Sequence, residues 1–175
     1  ADAGLYEVAI TNAFGTTTSQ ATLDVFFPTP EQRSFERPSP SSRRSGLIVS
    51  EIHYHPAAST AADQLEFIEI YNSEPWPTDL GGWRLSGDAD FVFPDGTTIP
   101  PLGYLVVARS VADVESTYAI TGVLGPFTGS LPNSGGRVRL RKPSGAIVWA
   151  TDYDDRHPWP IAADGTGHSL ILARP

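Results

Sequence analysis

Two histidines, His53 and His55, are separated by one residue and follow Glu51 at the same spacing. Alternate residues of a β-strand share a face, so these side chains could together supply nitrogen and oxygen ligands to a metal ion. Further ligands would have to come from elsewhere in the chain, such as Glu69 or Asp164. We favour the simpler interpretation that both imidazoles cap the end of a sheet and bond to backbone groups.

A second group of candidate metal ligands is acidic. Asp152, Asp154 and Asp155 lie close together, and Asp164 follows. Oxygen ligands on a loop suit Ca²⁺, although the spacing is not that of an EF-hand. Asp side chains also bond their own backbone in turns, and this accounts for the same residues without a metal. We therefore expect no cofactor and keep calcium as the alternative.

Two tryptophans lie in Pro-rich loops, each between two prolines. They are Trp76 and Trp159. A tryptophan in a loop can stack on a sugar ring or anchor a partner protein, so both are candidate binding residues. Trp76 is the better candidate, because we favour a packing role for Trp159. Trp83 and Trp149 are expected to lie in the core.

A short basic stripe is formed by Arg137, Arg139 and Arg141, which alternate with the apolar Val138 and Leu140. The chain as a whole has 12 basic and 20 acidic residues, giving a net charge of −8. An acidic surface repels phosphate, and three arginines make few phosphate contacts. We expect no nucleic-acid binding, and we interpret the stripe as charge that protects an edge strand from pairing.

No catalytic grouping is evident in the sequence. A nucleophile with a base and an orienting residue is not found, and there is no G-x-S-x-G motif. Glu66 and Glu69 fall on opposite faces of one strand, which is the wrong geometry for shared acid–base chemistry. We predict that the chain is not an enzyme. A metal-dependent hydrolase built on His53, His55 and the acidic loop is the least favoured alternative.

The composition predicts an all-β protein. The chain has 175 residues with 16 Gly and 16 Pro, and 40% of its residues are hydrophobic. So many breakers favour short strands and turns over helices, while the apolar fraction suffices for a core. The absence of Cys excludes disulfides and thiolate–metal sites. No apolar run approaches the ~20 residues of a membrane helix, so no membrane insertion is expected.

The alternating pattern assigns side chains to faces. In the strand Leu47–Tyr54, residues Ile48, Ser50, Ile52 and Tyr54 are predicted to share one face. The predicted elements are a buried strand Glu66–Tyr71, a Gly–Gly corner at Asp79–Trp83, a central strand Tyr104–Ala108, a short helix Val111–Tyr118, a hairpin of Arg137–Lys142 with Ala146–Trp149, and a last strand Ser169–Leu172.

The stretch FIEIYN…DLGGWRL, followed by FVFPDGTTIPPLGYLVVA, resembles the lamin-tail domain. Three further pieces resemble the bacterial branch of that family: LIVSEIHYHP, FTGSLPNSGGRVRL and YDDRHPWPIAADGTGHSL. The resemblance extends from about Leu47 to Leu172. It implies an immunoglobulin-like β-sandwich, but a fold of this kind does not specify a reaction.

The first part of the chain is similar to a different domain. Residues 1–27 contain Asp2-x-Gly4-x-Tyr6, which resembles the tyrosine corner of an immunoglobulin-like domain, with Val8 where an antibody domain has its second Cys. This indicates the last hairpin of an incomplete, disulfide-free I-type domain. Residues 28–46 are rich in Pro and Ser and predict a linker. Residues 47–175 are then the lamin-tail-like sandwich.

These features together predict a non-catalytic structural or interaction module of a large exported bacterial protein. It would act at the cell surface or outside the cell in spacing, adhesion or presentation of a neighbouring domain. Its partner would be a protein or a cell-surface polysaccharide, and the chain itself would be monomeric. The main alternative is a carbohydrate-binding module that uses the loop tryptophans.

Overall fold

The computed structural model describes residues 4–12, 15–23, 46–57 and 62–172. The chain divides into two compact units, Ala1–Arg37 and Pro38–Pro175. The division falls within the predicted linker, most of which lies outside the described residues. The boundaries 1–27, 28–46 and 47–175 therefore stay predictions.

The first unit contains an antiparallel hairpin of β1 (Gly4–Asn12) and β2 (Gly15–Leu23). The pairing runs from Gly4 with Leu23 to Asn12 with Gly15. The apolar side chains of Tyr6, Val8 and Ile10 alternate along β1 and are 49%, 61% and 64% exposed. The Asp2 of the proposed tyrosine corner lies outside the described residues.

The second unit is built from eleven strands and one α-helix in its described part. In chain order these are β3 (Leu47–His53), β4 (Phe67–Asn72), β5 (Thr78–Asp79), β6 (Arg84–Gly87), β7 (Ala89–Val92), β8 (Thr98–Ile99), β9 (Tyr104–Ala108), α1 (Val111–Tyr118), β10 (Thr128–Gly129), β11 (Gly136–Arg141), β12 (Ile147–Tyr153) and β13 (Leu170–Ile171). Short 3₁₀ turns lie at Ala62–Leu65 and Ile161–Ala163.

Two antiparallel sheets enclose the main core. One has the order β10-β7-β6-β11-β12 and the other β13-β3-β4-β9, with β5 and β8 as a separate small pair. Inward side chains of both sheets, such as Ile68, Ile70, Leu85, Leu140 and Val107, are fully buried in one cluster. The prediction of an all-β, immunoglobulin-like sandwich is thus confirmed. The predicted helix Val111–Tyr118 is confirmed as well.

The predicted faces of the first sandwich strand are wrong for half of its length. Leu47 and Val49 lie in the main core together with Ile52 and Tyr54, so the alternation changes phase within β3. The cause is a β-bulge: Val49 pairs with Ile70 and Glu51 with Glu69, which leaves Ser50 as the extra residue. Strict alternation from one end of the strand could not place both halves correctly.

The apolar composition of the strand YLVVA had predicted a central position in its sheet, and this prediction is wrong. In the sheet order β9 comes last, next to β4 alone. The free edge of β9 is nevertheless paired near its C-terminal end, because Leu124 makes a parallel bridge to Val107. The Ala108 N–H donates to the Leu124 carbonyl at 2.8 Å, and the Leu124 N–H donates to Val106 at 2.8 Å. This pairing explains why an edge strand carries apolar residues on both faces.

The arginine stripe does not lie on an edge strand either. Val138 and Leu140 are buried as predicted, but β11 runs between β6 and β12 and is interior to its sheet. Arg137 forms an ion pair with Asp152 on β12, and Arg141 donates to the Ser86 hydroxyl on β6 at 2.9 Å. The arginines therefore pair with neighbouring strands, and edge protection is not their role.

The Gly–Gly corner delivers Trp83 as the sequence suggested. The Gly81 N–H donates to the Asp79 carboxylate at 2.6 Å, and the Trp83 N–H donates to the Leu80 carbonyl at 2.9 Å. Gly82 takes φ 73, a conformation that favours glycine. Trp83 then packs, partly buried, against the main core, and Leu85 behind it is fully buried.

Candidate binding surface

The outer face of the four-stranded sheet, the one turned away from the main core, is divided into two halves. At one end α1 covers it: Phe67, Ala108, Val114 and Val123 form a second buried cluster. The other half carries no described helix or strand. Strand register places on this open half Glu51, Glu69, Tyr71, Tyr104 and Ile171, and also Ile48, which pairs with Tyr71 and is buried.

A pair of tyrosine rings in tilted contact dominates the open half. Tyr71 and Tyr104 are direct cross-strand partners on β4 and β9. Their ring centroids are 4.7 Å apart and the ring planes are inclined by 33°. Tyr104 is 57% exposed, so one ring of the pair presents its surface to solvent. A rigid aromatic platform of this kind is a common element of binding surfaces.

Two glutamates lie beside the tyrosines, also as direct cross-strand partners. Glu51 on β3 pairs with Glu69 on β4. The Glu69 carboxylate accepts a hydrogen bond from the Ser50 hydroxyl at 2.7 Å, and Glu51 accepts one from Ser169. Burial raises the pKa of Glu69, and the charge of Glu51 raises it further against the effect of Ser50. Like charges directly opposite each other destabilise a sheet.

The loop just before Tyr104 adds an exposed apolar side chain. Leu102 is 59% exposed and has φ 52, in the left-handed region that non-glycine residues rarely adopt. Its N–H donates to the Glu74 carbonyl at 3.2 Å, which holds this conformation. Backbone strain at an exposed residue is typical of functional surfaces.

The two tryptophans predicted to bind ligands have different environments. Trp76 is 51% exposed. Its loop is fixed by the buried side chain of Asn72, which donates to the Trp76 carbonyl at 2.9 Å and to Pro100 at 3.0 Å. Trp159 is partly buried and packs against the main core, so less of its ring is available to a ligand.

The two histidines of the H-x-H motif bond to different partners. His53 is 2% exposed, packs on Phe67 and Tyr118, and its Nε2 lies 2.9 Å from the Tyr118 hydroxyl. Its Nδ1 has no partner of good hydrogen-bond geometry among the described residues. Burial lowers the pKa of His53, opposed by a backbone group of His168. His55 instead pairs with Asp164, Nδ1 to Oδ1 at 2.6 Å. Our expectation of backbone partners is thus wrong for His55, whose ring bonds to a carboxylate, whereas His53 does have a backbone partner in His168.

The acidic stretch is spread over two kinds of structure. Asp152 lies on β12 and pairs with Arg137, so it is not a loop residue. Asp154 accepts the Arg156 N–H at 3.0 Å, as turn chemistry predicts. The side chains of Asp154 and Asp155 share a hydrogen bond, which lowers the pKa of Asp154 and raises the pKa of Asp155. No three His, Asp or Glu side chains in the described ranges form a group that could hold a metal ion.

Glu66 has a structural role. Its side chain is 4% exposed, and its Oε2 accepts the Leu131 N–H at 3.1 Å and an Arg109 N–H at 3.3 Å. It therefore ties the ends of β4 and β9 to the loop before β11. Glu69 is on the other face of β4, as the sequence indicated.

The described part of the second unit is an immunoglobulin-like β-sandwich with aromatic side chains on its outer sheet face. The family model of the lamin tail domain matches residues 40–155, which is more than half of the chain. The chain therefore belongs to the lamin tail domain family, whose members are typically non-catalytic structural modules. No curated protein matches it. In the described residues no helix has the length and apolar character needed to cross a membrane.

Proposed function

We propose that the chain is a non-catalytic interaction module of a large exported bacterial protein, and that it binds a partner protein through the open half of its outer sheet face. The observation that carries this proposal is the tilted ring contact of Tyr71 and Tyr104, with Tyr104 57% exposed. A ring that packs on a neighbour and is fixed on a strand loses little conformational entropy on binding, so its contact area contributes efficiently to affinity.

The context proposed for the module rests on the first unit and on the sequence. The exposed apolar side chains of Tyr6, Val8 and Ile10 support the interpretation of β1 and β2 as the end of an immunoglobulin-like domain whose other strands would cover them. Two such domains in series favour a role in spacing, adhesion or presentation of a neighbouring domain. We propose an extracellular or cell-surface location and a monomeric chain, in which one partner occupies the face.

Binding of the full chain to bacterial cells tests this function. The fluorescently labelled protein is titrated onto cells, and bound fluorescence is measured by flow cytometry. We expect saturable binding that Tyr104→Ala weakens and protease treatment of the cells abolishes. Val92→Ala is the matched control, because Val92 is 56% exposed on the other sheet. Absence of saturable binding, or equal loss in both variants, would refute the proposal.

A second candidate function is carbohydrate binding through Trp76. It is favoured by the 51% exposure of that side chain and by the Asn72 amide that fixes the loop. A tryptophan held in this way can stack on a sugar ring. A glycan array probed with the wild-type chain and with Trp76→Ala distinguishes the two functions. If the chain binds carbohydrate, Trp76→Ala should lose the array signal. Binding of the wild-type chain to cells should then survive protease treatment.

A further inference from the structure

The open half of the outer face combines aromatic rings with negative charge. Tyr71 follows Glu69 by two residues on β4, so the two side chains are neighbours on one face. Tyr104 lies opposite Tyr71, and Glu51 lies opposite Glu69. These side chains, with Ile48 beside Tyr71, thus form one surface in which two carboxylates border an aromatic platform.

The charges of this surface are not compensated by the described part of the chain. The hydrogen-bond donors to Glu51 and Glu69 are the hydroxyls of Ser169 and Ser50. None of the ion pairs among the described residues includes either carboxylate. Two half-buried negative charges in direct cross-strand contact oppose folding, and a positive charge between them would remove that cost.

We propose that the open half of the outer face binds an arginine-bearing basic segment of the partner protein. The guanidinium would lie over the exposed ring of Tyr104 and donate hydrogen bonds to Glu69 on the adjacent strand, while Glu51, one strand further away, would add to the attraction. A planar guanidinium can stack on an aromatic ring and bond carboxylates at its edge, whereas an ammonium group cannot do both equally well. The net charge of −8 attracts such a segment over a longer range.

This inference rests on the proposed interaction function and specifies its partner. The probe is a fluorescein-labelled peptide of alternating Arg and Gly, compared with matched Lys–Gly and Glu–Gly peptides. Fluorescence anisotropy is measured with the full chain at low and at tenfold higher NaCl concentration. We expect the arginine peptide to bind most tightly, the lysine peptide more weakly and the glutamate peptide not at all. Binding should weaken in high salt, because exposed charges are screened.

Two variants with equal changes in net charge separate a specific site from general acidity. The double variant Glu51→Gln with Glu69→Gln should lower the affinity for the arginine peptide about tenfold or more. The control Asp90→Asn with Asp95→Asn removes two charges elsewhere and should bind nearly as well as wild type. Tyr104→Ala should also weaken binding and should reduce the preference for arginine over lysine. Circular dichroism checks that each variant is folded.

The possible failures are distinguishable. If Tyr104→Ala weakens binding to cells but the arginine peptide does not bind, the proposed function stands and the basic partner is wrong. Equal losses in the two double variants would mean attraction by net charge alone and would overturn the inference. Displacement of the peptide by a neutral oligosaccharide, with no effect of the glutamine variants, would assign the face to a polysaccharide instead. If neither cells nor peptide bind, both proposals fail.

Discussion

Removal of the Glu66 charge should destabilise the sandwich strongly. The Glu66→Gln substitution preserves the volume of the side chain and changes its charge and hydrogen-bonding capacity. In the folded chain the Glu66 side chain is 4% exposed, and its Oε2 accepts hydrogen bonds from Leu131 and Arg109. An amide in its place leaves the Arg109 guanidinium, which is 28% exposed, without its counter-charge.

The magnitude follows from the burial of these groups. A hydrogen bond to a charged group contributes about 1.5–3 kcal/mol, and breaking a buried ion pair costs about 3–5 kcal/mol. Arg109 is partly solvated and can regain water, which lowers the second figure. We therefore expect Glu66→Gln to lower the free energy of unfolding by about 3 kcal/mol. This is a large part of the ~5–15 kcal/mol that holds a domain together.

Chemical denaturation with urea measures the effect, and Asp90→Asn is the control. Asp90 pairs with Arg84, but the two side chains are 37% and 52% exposed, so loss of this pair should hardly change the urea midpoint. Hydrogen exchange adds a local test, because the Leu131 amide should lose protection in Glu66→Gln. Equal midpoints for the two variants, or an unchanged Leu131 amide, would refute the claim that Glu66 ties these loops together.

Three further predictions concern stability. Trp83→Ala should lower the free energy of unfolding by about 3 kcal/mol, because the Trp83 ring packs on the core. Trp76→Ala should lower it by about 1 kcal/mol or less, because Trp76 is exposed. Urea denaturation that ranks the two variants in the reverse order would mean that the assignment of core and surface is wrong. Burial lowers the pKa of His53 from 6.5, so on acidification the unfolded chain binds a proton at this residue before the folded chain does. The stability that the neutral ring contributes is therefore complete above pH 6.5 and is lost as the pH falls below that value. Melting temperatures at pH 7.5 and 5.5 should therefore differ more in wild type than in His53→Leu. EDTA should leave the melting temperature unchanged, and a fall that Ca²⁺ restores would instead indicate a calcium site in the acidic loop.

The fold could be predicted from the sequence where local signals were strong. Alternation placed Ile68 and Ile70 in the core, the Gly81–Gly82 pair marked a corner, and the segment Val111–Tyr118 formed the expected helix. Each of these signals depends on residues that are near in sequence. The bulge at Ser50 gives no such signal, because an extra residue in β3 is defined only by its pairing with β4.

The candidate binding surface was predictable only in part, for the same reason. The period of two puts Glu69 and Tyr71 on the same face of β4, so this part of the surface was visible in the sequence. The other part comes from Glu51 and Tyr104, which are on different strands. Cross-strand register decides which side chains meet, and a shift of one residue would turn either of them to the other face. The loop tryptophans attracted attention first because they are locally conspicuous.

The contrast between the two halves of the outer face is the main argument that the open half binds a partner. Under α1 the face is apolar and buried, which adds to the stability of the sandwich. A surface shaped by solubility alone would carry dispersed charges of both signs, as the Arg137 and Asp152 pair does on the other sheet. The open half has opposed carboxylates beside the tyrosine pair, and the repulsion between these carboxylates costs stability in the free chain. A positively charged, partly planar group is the ligand that would reduce this cost, since it can pair with Glu69, lower the repulsion from Glu51 and cover the exposed ring of Tyr104.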